Sequence, residues 1–134
     1  MSQLLQEIES LRQSMKELND FIFDHPELGN EEFQAHELLT NLLEKEGFTV
    51  DREVSGLKTA FRAVYHVNGG GPKIGLLCEY DALEGLGHAC GHNLQGPSIC
   101  TAAIALKRTL QAPCTLVVYG TPAEETASGK LVMA

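Results

Sequence analysis

Two short apolar segments on either side of a helix-forming stretch constrain the fold of this chain more than any other feature. Residues 74–78 (IGLLC) and 114–119 (CTLVVY) are apolar without alternation, which is typical of strands that are buried on both faces. The Ala-rich stretch between them, from about Pro97 to Leu110, favours a helix. A strand, helix, strand order predicts two parallel strands joined by a right-handed crossover. We therefore expect an α/β fold with a mixed, largely parallel sheet flanked by helices.

Two amphipathic helices are predicted in the N-terminal part of the chain. Apolar residues recur at steps of three and four from Leu4 to Ile22, and the His25-Pro26 pair ends this pattern because the residue before a proline is pushed out of the helical region. A second helix is expected from about Asn30 to Gly47, since glycine is favourable just after a helix. Both helices need a surface on which to bury their apolar faces.

Two further strands supply that surface. Residues 48–54 and 59–67 have a β-type composition, and the second segment alternates apolar with more polar positions. The Gly-rich run 68–72 that follows is expected to be a loop. We expect the sheet to end at the strand 114–119, where an unpaired edge and exposed apolar surface would promote self-association.

The composition is that of one globular domain. The chain has 134 residues, of which 43% are apolar and 21% are charged, and this excludes a disordered tail or a fibrous protein. Its 10 Lys and Arg residues against 18 Asp and Glu give a net charge of −8, so no nucleic acid partner is expected. Because no apolar run is long enough to span a bilayer and the N-terminus lacks a signal-peptide pattern, we expect no membrane partner and a cytoplasmic location.

Most of the cysteines and histidines are predicted to have structural roles. The four cysteines stand 10 to 14 residues apart without a C-x-x-C pair, so a disulfide framework is not expected. All of them except Cys90 lie in core-like segments, where a cysteine behaves as a small hydrophobic residue. Among the histidines, His25 is expected at a helix end, whereas His36 and His66 are expected to face solvent.

The segment from Glu79 to Gly96 follows one predicted strand and is rich in side chains that bind metals or protons. In its HACGH string, His88, Cys90 and His92 alternate with small residues, and imidazole and thiolate are donors that zinc prefers. Loops at the carboxyl ends of strands are also where open α/β sheets bind ligands. A structural loop with buried imidazoles is the alternative interpretation of this string.

Glu124 and Glu125 directly follow the other predicted strand, in the string GTPAEE. Two adjacent carboxylates can divide the work of binding a metal and taking up a proton. Such pairs are also common in solvent and at helix N-termini, where they interact favourably with the helix dipole. Two parallel strands would bring this pair to the same sheet edge as Cys90 and His92, which favours a shared site.

Three strings, in this order, resemble one known family. HPELGNEE at 25–32, CEYDALEGLGHACGHN at 78–93 and GTPAEE at 120–125 are similar to the N-terminal third of the zinc-dependent aminoacylase, dipeptidase and carboxypeptidase G superfamily. The sequence most resembles the amidohydrolase branch that contains aminobenzoyl-glutamate hydrolases and dipeptidases acting on β-alanyl-type peptides. Glu84, where proline is common, and Asn93, where aspartate is common, depart from the family pattern.

The resemblance implies roles for five residues. Cys90, His92 and Glu125 match metal ligands, and it implies a divalent metal, with zinc favoured over manganese or cobalt. Glu124 matches the general base, and Asp81 matches an aspartate that orients a ligand and sets its basicity. The first histidine of the HACGH string matches a position that is not a ligand.

By the same resemblance, the chain is a metal-dependent hydrolase of amide or peptide bonds in small N-acyl amino acids or dipeptides. Residues 1–134 would form part of a catalytic domain, without the lid and dimerisation domain, and the full-length form would be a homo-oligomer. Two alternatives are an inactive fragment or interaction module with at most weak metal binding, and a purely structural zinc site. The adjacent glutamates argue against the structural site, because such sites are usually closed by Cys and His.

Overall fold

The chain folds into a four-stranded sheet with helices packed against it, and the computed structural model describes residues 2–134. The helices are α1 (Gln3–Ser10), α2 (Arg12–Asp24), α3 (Phe33–Lys45), α4 (His92–Thr109) and the short α5 (Gly129–Met133). The strands are β1 (Thr49–Arg52), β2 (Phe61–Val67), β3 (Lys73–Cys78) and β4 (Cys114–Gly120). None of the helices described is both long and apolar enough to cross a bilayer.

The strands are ordered β1-β2-β4-β3. β3 and β4 run parallel and are joined through α4, which confirms the predicted strand, helix, strand unit. β2 pairs antiparallel with both β1 and β4, so the sheet is mixed as predicted but only one of its three pairings is parallel. The alternation in β2, where Phe61 and Ala63 are buried and Arg62 is exposed, is the pattern of an antiparallel strand covered on one face.

β4 is an interior strand and is buried as predicted, whereas β3 lies at an edge of the sheet. Leu116 and Val118 of β4 are fully buried, whereas Ile74 and Leu77 of β3 are 41% and 48% exposed. The prediction that β3 is buried on both faces is therefore wrong, and so is the prediction that the sheet ends at β4. The apolar pattern alone does not show that β2 pairs along the whole of β4, and this pairing leaves β3 outside.

α1 and α2 pack along α4 and replace the single helix predicted for the N-terminal stretch. Leu11 separates them, and its side chain turns into the core. α2 ends at His25, as predicted, and the ring Nδ1 of His25 lies 2.8 Å from the carbonyl oxygen of Phe21. The periodicity therefore predicted the apolar face correctly and missed the break.

The boundaries of α3 and α4 differ from the prediction at their N-termini. α3 begins at Phe33 because Asn30 takes a left-handed conformation with φ 67°, and it ends before Gly47, whose φ is 89°. α4 begins at His92 instead of at about Pro97, which lies inside the helix. The earlier start places His92 in the first turn of α4, beside the loop that follows β3.

The core lies where α3 and α4 cover the sheet. Members without exposed surface include Leu39, Leu43, Phe61, Leu116 and Val118. Gly120 at the end of β4 allows the Phe61 ring to lie across it, because a Cβ atom there would stand 2.1 Å from two ring atoms. The packing thus fixes the end of β4, from which the candidate site begins.

Candidate metal centre

The candidate site lies where the parallel strands β3 and β4 end. One loop joins β3 to α4 and another follows β4, and the register of the two strands pairs Cys78 with Gly120, their last residues. Both loops therefore leave the same edge of the sheet. This confirms the predicted convergence of the HACGH and GTPAEE strings.

His92 is the centre of the arrangement. Its ring is 8% exposed, and Nδ1 donates to the Asp81 carboxylate, whose Oδ1 is 3.0 Å away. The opposite nitrogen, Nε2, lies 3.2 Å from Glu79 Oε2, 3.8 Å from Glu124 Oε2 and 3.9 Å from Glu125 Oε1. The bond to Asp81 fixes the tautomer and leaves Nε2 free to bind a metal.

Asp81 connects the two loops. Its side chain has no exposed surface, and its second oxygen, Oδ2, accepts a hydrogen bond of 3.0 Å from the backbone N–H of Glu125. The thiol of Cys90 lies 3.6 Å from the carbonyl oxygen of Asp81. One buried carboxylate therefore orients His92 and sets the position of Glu125, which is the geometry expected of the role inferred for it from sequence.

The predicted ligands come together. Each of Cys90, His92 and Glu125 offers one donor atom, and these three atoms lie within 4.8 Å of one another. Two ligands of a tetrahedral zinc ion, at the usual bond lengths, are about 3.5 Å apart, so these side chains fit such an ion after small rotations. Thiolate, imidazole and carboxylate also form a donor set suited to zinc.

A second group of potential ligands shares the same histidine. Donor atoms of Glu79, His92 and Glu124 also lie within 4.8 Å of one another. The sequence alone assigns no role to Glu79, although its position two residues before Asp81, directly after β3, points to the same site. The ring of His92 thus stands between two carboxylate-containing groups.

Lys130 of α5 was not identified from the sequence. Its Nζ donates to Glu79 Oε1 and lies 3.8 Å from Glu124 Oε1, and the hydrogen bond to Glu79 raises the pKa of Lys130. Burial raises the pKa of the Cys90 thiol, so without a metal this group stays protonated at neutral pH. The site therefore combines several carboxylates with one ammonium group.

The histidines and cysteines outside the ligand groups mostly follow the predictions. His88 is buried, with its pKa lowered by burial, and belongs to neither ligand group among the described residues. His25 and His66 are exposed, and the three cysteines other than Cys90 are buried and free. The prediction that His36 faces solvent is wrong, because this residue is only 8% exposed. Its ring packs edge-on against the ring of Phe61, with 5.9 Å between the ring centroids.

Comparison with known proteins gives relatives of one kind. The chain is 42% identical over 146 aligned positions to a p-aminobenzoyl-glutamate hydrolase polypeptide of Escherichia coli, covering 94% of this chain and 30% of that protein. It is 39% identical over 137 positions to the Xaa-Arg dipeptidase of Mus musculus, covering 92% of this chain and 32% of the relative. The chain therefore spans about a third of the length of these relatives.

A solved structure is similar to this chain, as the two relatives are. The crystal structure of a Bacillus subtilis protein, described as a dinuclear metal binding peptidase from the M20 family, matches 87% of this chain and 36% of its own, with 26% identity and a TM-score of 0.78. No protein-family model matches the chain. The relatives and this structure confirm the family resemblance read from the three strings, and they confirm a mixed sheet flanked by helices.

Proposed function

We propose that this chain, which matches an N-terminal fragment of the M20 amidohydrolase family, forms the metal-binding part of a hydrolase acting on amide or peptide bonds of small N-acyl amino acids or dipeptides. Residues 2–134 would then be part of a catalytic domain. The observation that carries the proposal is the convergence of Cys90, His92 and Glu125 within 4.8 Å, with Glu124 beside them.

The metal would be held by the Cys90 thiolate, His92 Nε2 and the Glu125 carboxylate. Zinc is the ion that this mixture of sulfur, nitrogen and oxygen donors suits best, ahead of manganese or cobalt. A divalent ion bound there supplies polarisation of the scissile carbonyl and acidification of the attacking water.

The remaining side chains have distinct roles in the proposal. Glu124, which is a third exposed, takes the proton of the attacking water and returns it to the leaving amine. Asp81 keeps the His92 ring in the tautomer with a free Nε2. Lys130 holds Glu79 and lies near Glu124, which reduces the repulsion between these two carboxylates.

Two variants test this division of roles, by metal content in the 134-residue chain and by hydrolysis in a longer protein that contains it. Glu124→Gln should keep its metal and lose the zinc-dependent hydrolysis of N-acyl amino acids or β-alanyl dipeptides by a factor of about 10² to 10⁴. Cys90→Ser should instead lose metal, because an alcohol is a poorer zinc ligand than a thiolate.

The measurements are elemental analysis after dialysis and turnover of a substrate panel in added zinc. The surface variant Glu37→Gln, on the exposed side of α3, serves as a control for the loss of one carboxylate. Equal loss of metal in both site variants would contradict the assignment of base and ligand. Absence of metal from the unmodified protein would contradict the proposed function itself.

A further inference from the structure

The HPELGNEE segment, residues 25–32, has no role in the chemistry proposed above, yet it contacts both site loops. The backbone N–H of Ala82 donates to the Glu27 carbonyl at 2.8 Å, and Leu28 forms a parallel bridge with Ala82, the residue after Asp81. At its other end, Glu32 Oε1 accepts a 2.7 Å hydrogen bond from the backbone N–H of Ala123. The segment thus joins the loop after β3 to the loop after β4.

Glu32 is unusual because its carboxylate has no exposed surface. Oε2 accepts a hydrogen bond of 2.7 Å from the hydroxyl of Thr59, and Oε1 accepts the bond from Ala123, so both donors are neutral. Burial raises the pKa of this carboxyl group. Since burying a carboxyl group is unfavourable unless its hydrogen bonds are made, the two bonds must account for its retention in the fold.

Ala123 is held in a conformation that alanine rarely takes. Its φ is 56°, in the left-handed region, and its side chain is fully buried. Gly29 packs against it so closely that a Cβ atom there would stand 2.8 Å from the Ala123 Cβ and 2.6 Å from Thr126 Oγ1. A strained backbone persists only where its surroundings enforce it, and the hydrogen bond that the Ala123 N–H donates to Glu32 acts directly on this residue.

We propose that Glu32 is a positioning residue that holds Ala123 in its left-handed conformation and thereby places Glu124 and Glu125 against His92. Its purpose rests on the proposed function, because Glu124 and Glu125 are the base and a ligand in that proposal. Glu32 belongs to neither ligand group, and its side chain bonds to Thr59 and Ala123. It acts through the backbone of the residue that precedes Glu124.

Three variants separate this role from a general effect of packing. Glu32→Ala removes both acceptors. Glu32→Gln keeps a carbonyl oxygen for the Ala123 N–H, while its NH₂ group can donate to the Thr59 hydroxyl, which also accepts. The control is Thr40→Val, a fully buried residue of α3 whose hydroxyl bonds only within its own helix.

Two measurements on the folded chain read the effect. Amide hydrogen exchange in residues 121–126 measures how firmly the loop is held. Titration with Co²⁺, followed through the absorption band of a thiolate bound to cobalt, measures the metal affinity of the group that contains Cys90. We expect Glu32→Ala to accelerate exchange in 121–126 and to weaken cobalt binding by about 10- to 100-fold, as loss of an outer support of a metal site does. Glu32→Gln should restore most of both properties, and Thr40→Val should change neither.

A further substitution tests the conformational step. Glycine takes positive φ without strain, so Ala123→Gly in the Glu32→Ala background should recover part of the cobalt affinity. Unchanged exchange at 121–126 in Glu32→Ala, or an equal change in Thr40→Val, would overturn the proposal. If Glu32→Ala does not fold, hydrogen exchange is measured on the unmodified protein. The Ala123 amide should then exchange more slowly than the amides of the exposed residues Thr126 and Ala127. An Ala123 amide that exchanges as fast as these two would overturn the proposal.

The two proposals can fail separately. A protein that binds neither cobalt nor zinc would refute the proposed function, whereas hydrogen exchange would still decide whether Glu32 holds the loop. Normal metal binding with a Glu32-independent loop would refute only the positioning role.

Discussion

Replacing Asp81 with asparagine tests how the site holds His92. The two oxygens of Asp81 accept from two donors, His92 Nδ1–H and the backbone N–H of Glu125, each at 3.0 Å. Asparagine has one carbonyl oxygen and one NH₂ group, so it can serve only one of these donors. If the NH₂ group faces His92, it meets the ring Nδ1–H as donor against donor. The ring then keeps only its bond to the backbone carbonyl oxygen of Asp81, 3.1 Å away, or moves its proton to Nε2, the nitrogen that must be free to bind a metal.

The magnitude follows from burial and from the metal site. A buried donor that loses its acceptor costs about 1–3 kcal/mol, and Asp81 has no exposed surface through which water could replace it. Loss of the outer partner of a ligand weakens metal binding by about 10- to 100-fold, which corresponds to about 1.4–2.8 kcal/mol. The two ranges agree, so we expect Asp81→Asn to lower the zinc affinity by about one to two orders of magnitude.

The assay is a competition titration for zinc against a coloured chelator near neutral pH. Asp51→Asn is the matched control, because Asp51 lies on β1, is half exposed and pairs only with Arg62 on the surface. Circular dichroism establishes that both variants remain folded. An unchanged zinc affinity in Asp81→Asn, or an equal loss in Asp51→Asn, would refute the argument that the buried carboxylate orients His92.

Three further predictions concern the fold. Gly120→Ala should lower the free energy of unfolding by about 1–3 kcal/mol or more, since its Cβ would stand 2.1 Å from the Phe61 ring. Urea unfolding should show a smaller loss of stability for Gly75→Ala, whose Cβ would stand 3.3 Å from the Tyr119 ring. Equal losses of stability in the two variants would contradict this difference in packing. Burial lowers the pKa of His36 below its unfolded value, so its contribution to stability is present above pH 6.5 and is lost as the pH falls through about 6.5 toward the folded pKa; the urea midpoint should fall less between pH 7 and pH 5.5 in His36→Leu than in the unmodified protein, and parallel curves would exclude this contribution. Leu77→Lys on the edge strand β3 should reduce self-association of the chain, and size-exclusion chromatography with light scattering would contradict this if both forms had the same mass.

The sequence predicted those parts of the fold that depend on local patterns. The left-handed Gly47 and the end of α2 at His25 follow from residues within one or two turns of chain, and the parallel pair β3 and β4 follows from the order of two apolar segments around a helix. The pairing of β2 with β4 does not, because it joins segments about 50 residues apart whose apolar patterns fit several partners. For the same reason His36 was misplaced, since only the packed sheet shows that Phe61 covers it.

Some residues of the candidate site could also be predicted from the sequence, and others could not. Cys90, His92 and Glu125 were predictable because their side-chain chemistry and their places after two apolar strands point to a metal. Lys130 and Glu32 were not, because Lys130 is the single charged residue of a five-residue helix outside any metal-binding motif, and Glu32 is one of two adjacent glutamates, which usually face solvent. Only the fold brings Lys130 to Glu79, and only the fold buries Glu32 beneath Ala123.

The electrostatics of the site explain why metal binding and folding should be coupled. Four carboxylates approach the His92 ring, at 3.0 to 3.9 Å, and within residues 2–134 Lys130 is the cation that forms ion pairs with two of them, Glu79 and Glu124. A divalent ion would relieve this repulsion and would also displace the proton that burial keeps on the Cys90 thiol. Because the two loops meet only in the folded chain, such an ion would bind the folded state in preference to the unfolded one, and its binding energy would add to the stability of the sheet edge from which both loops arise.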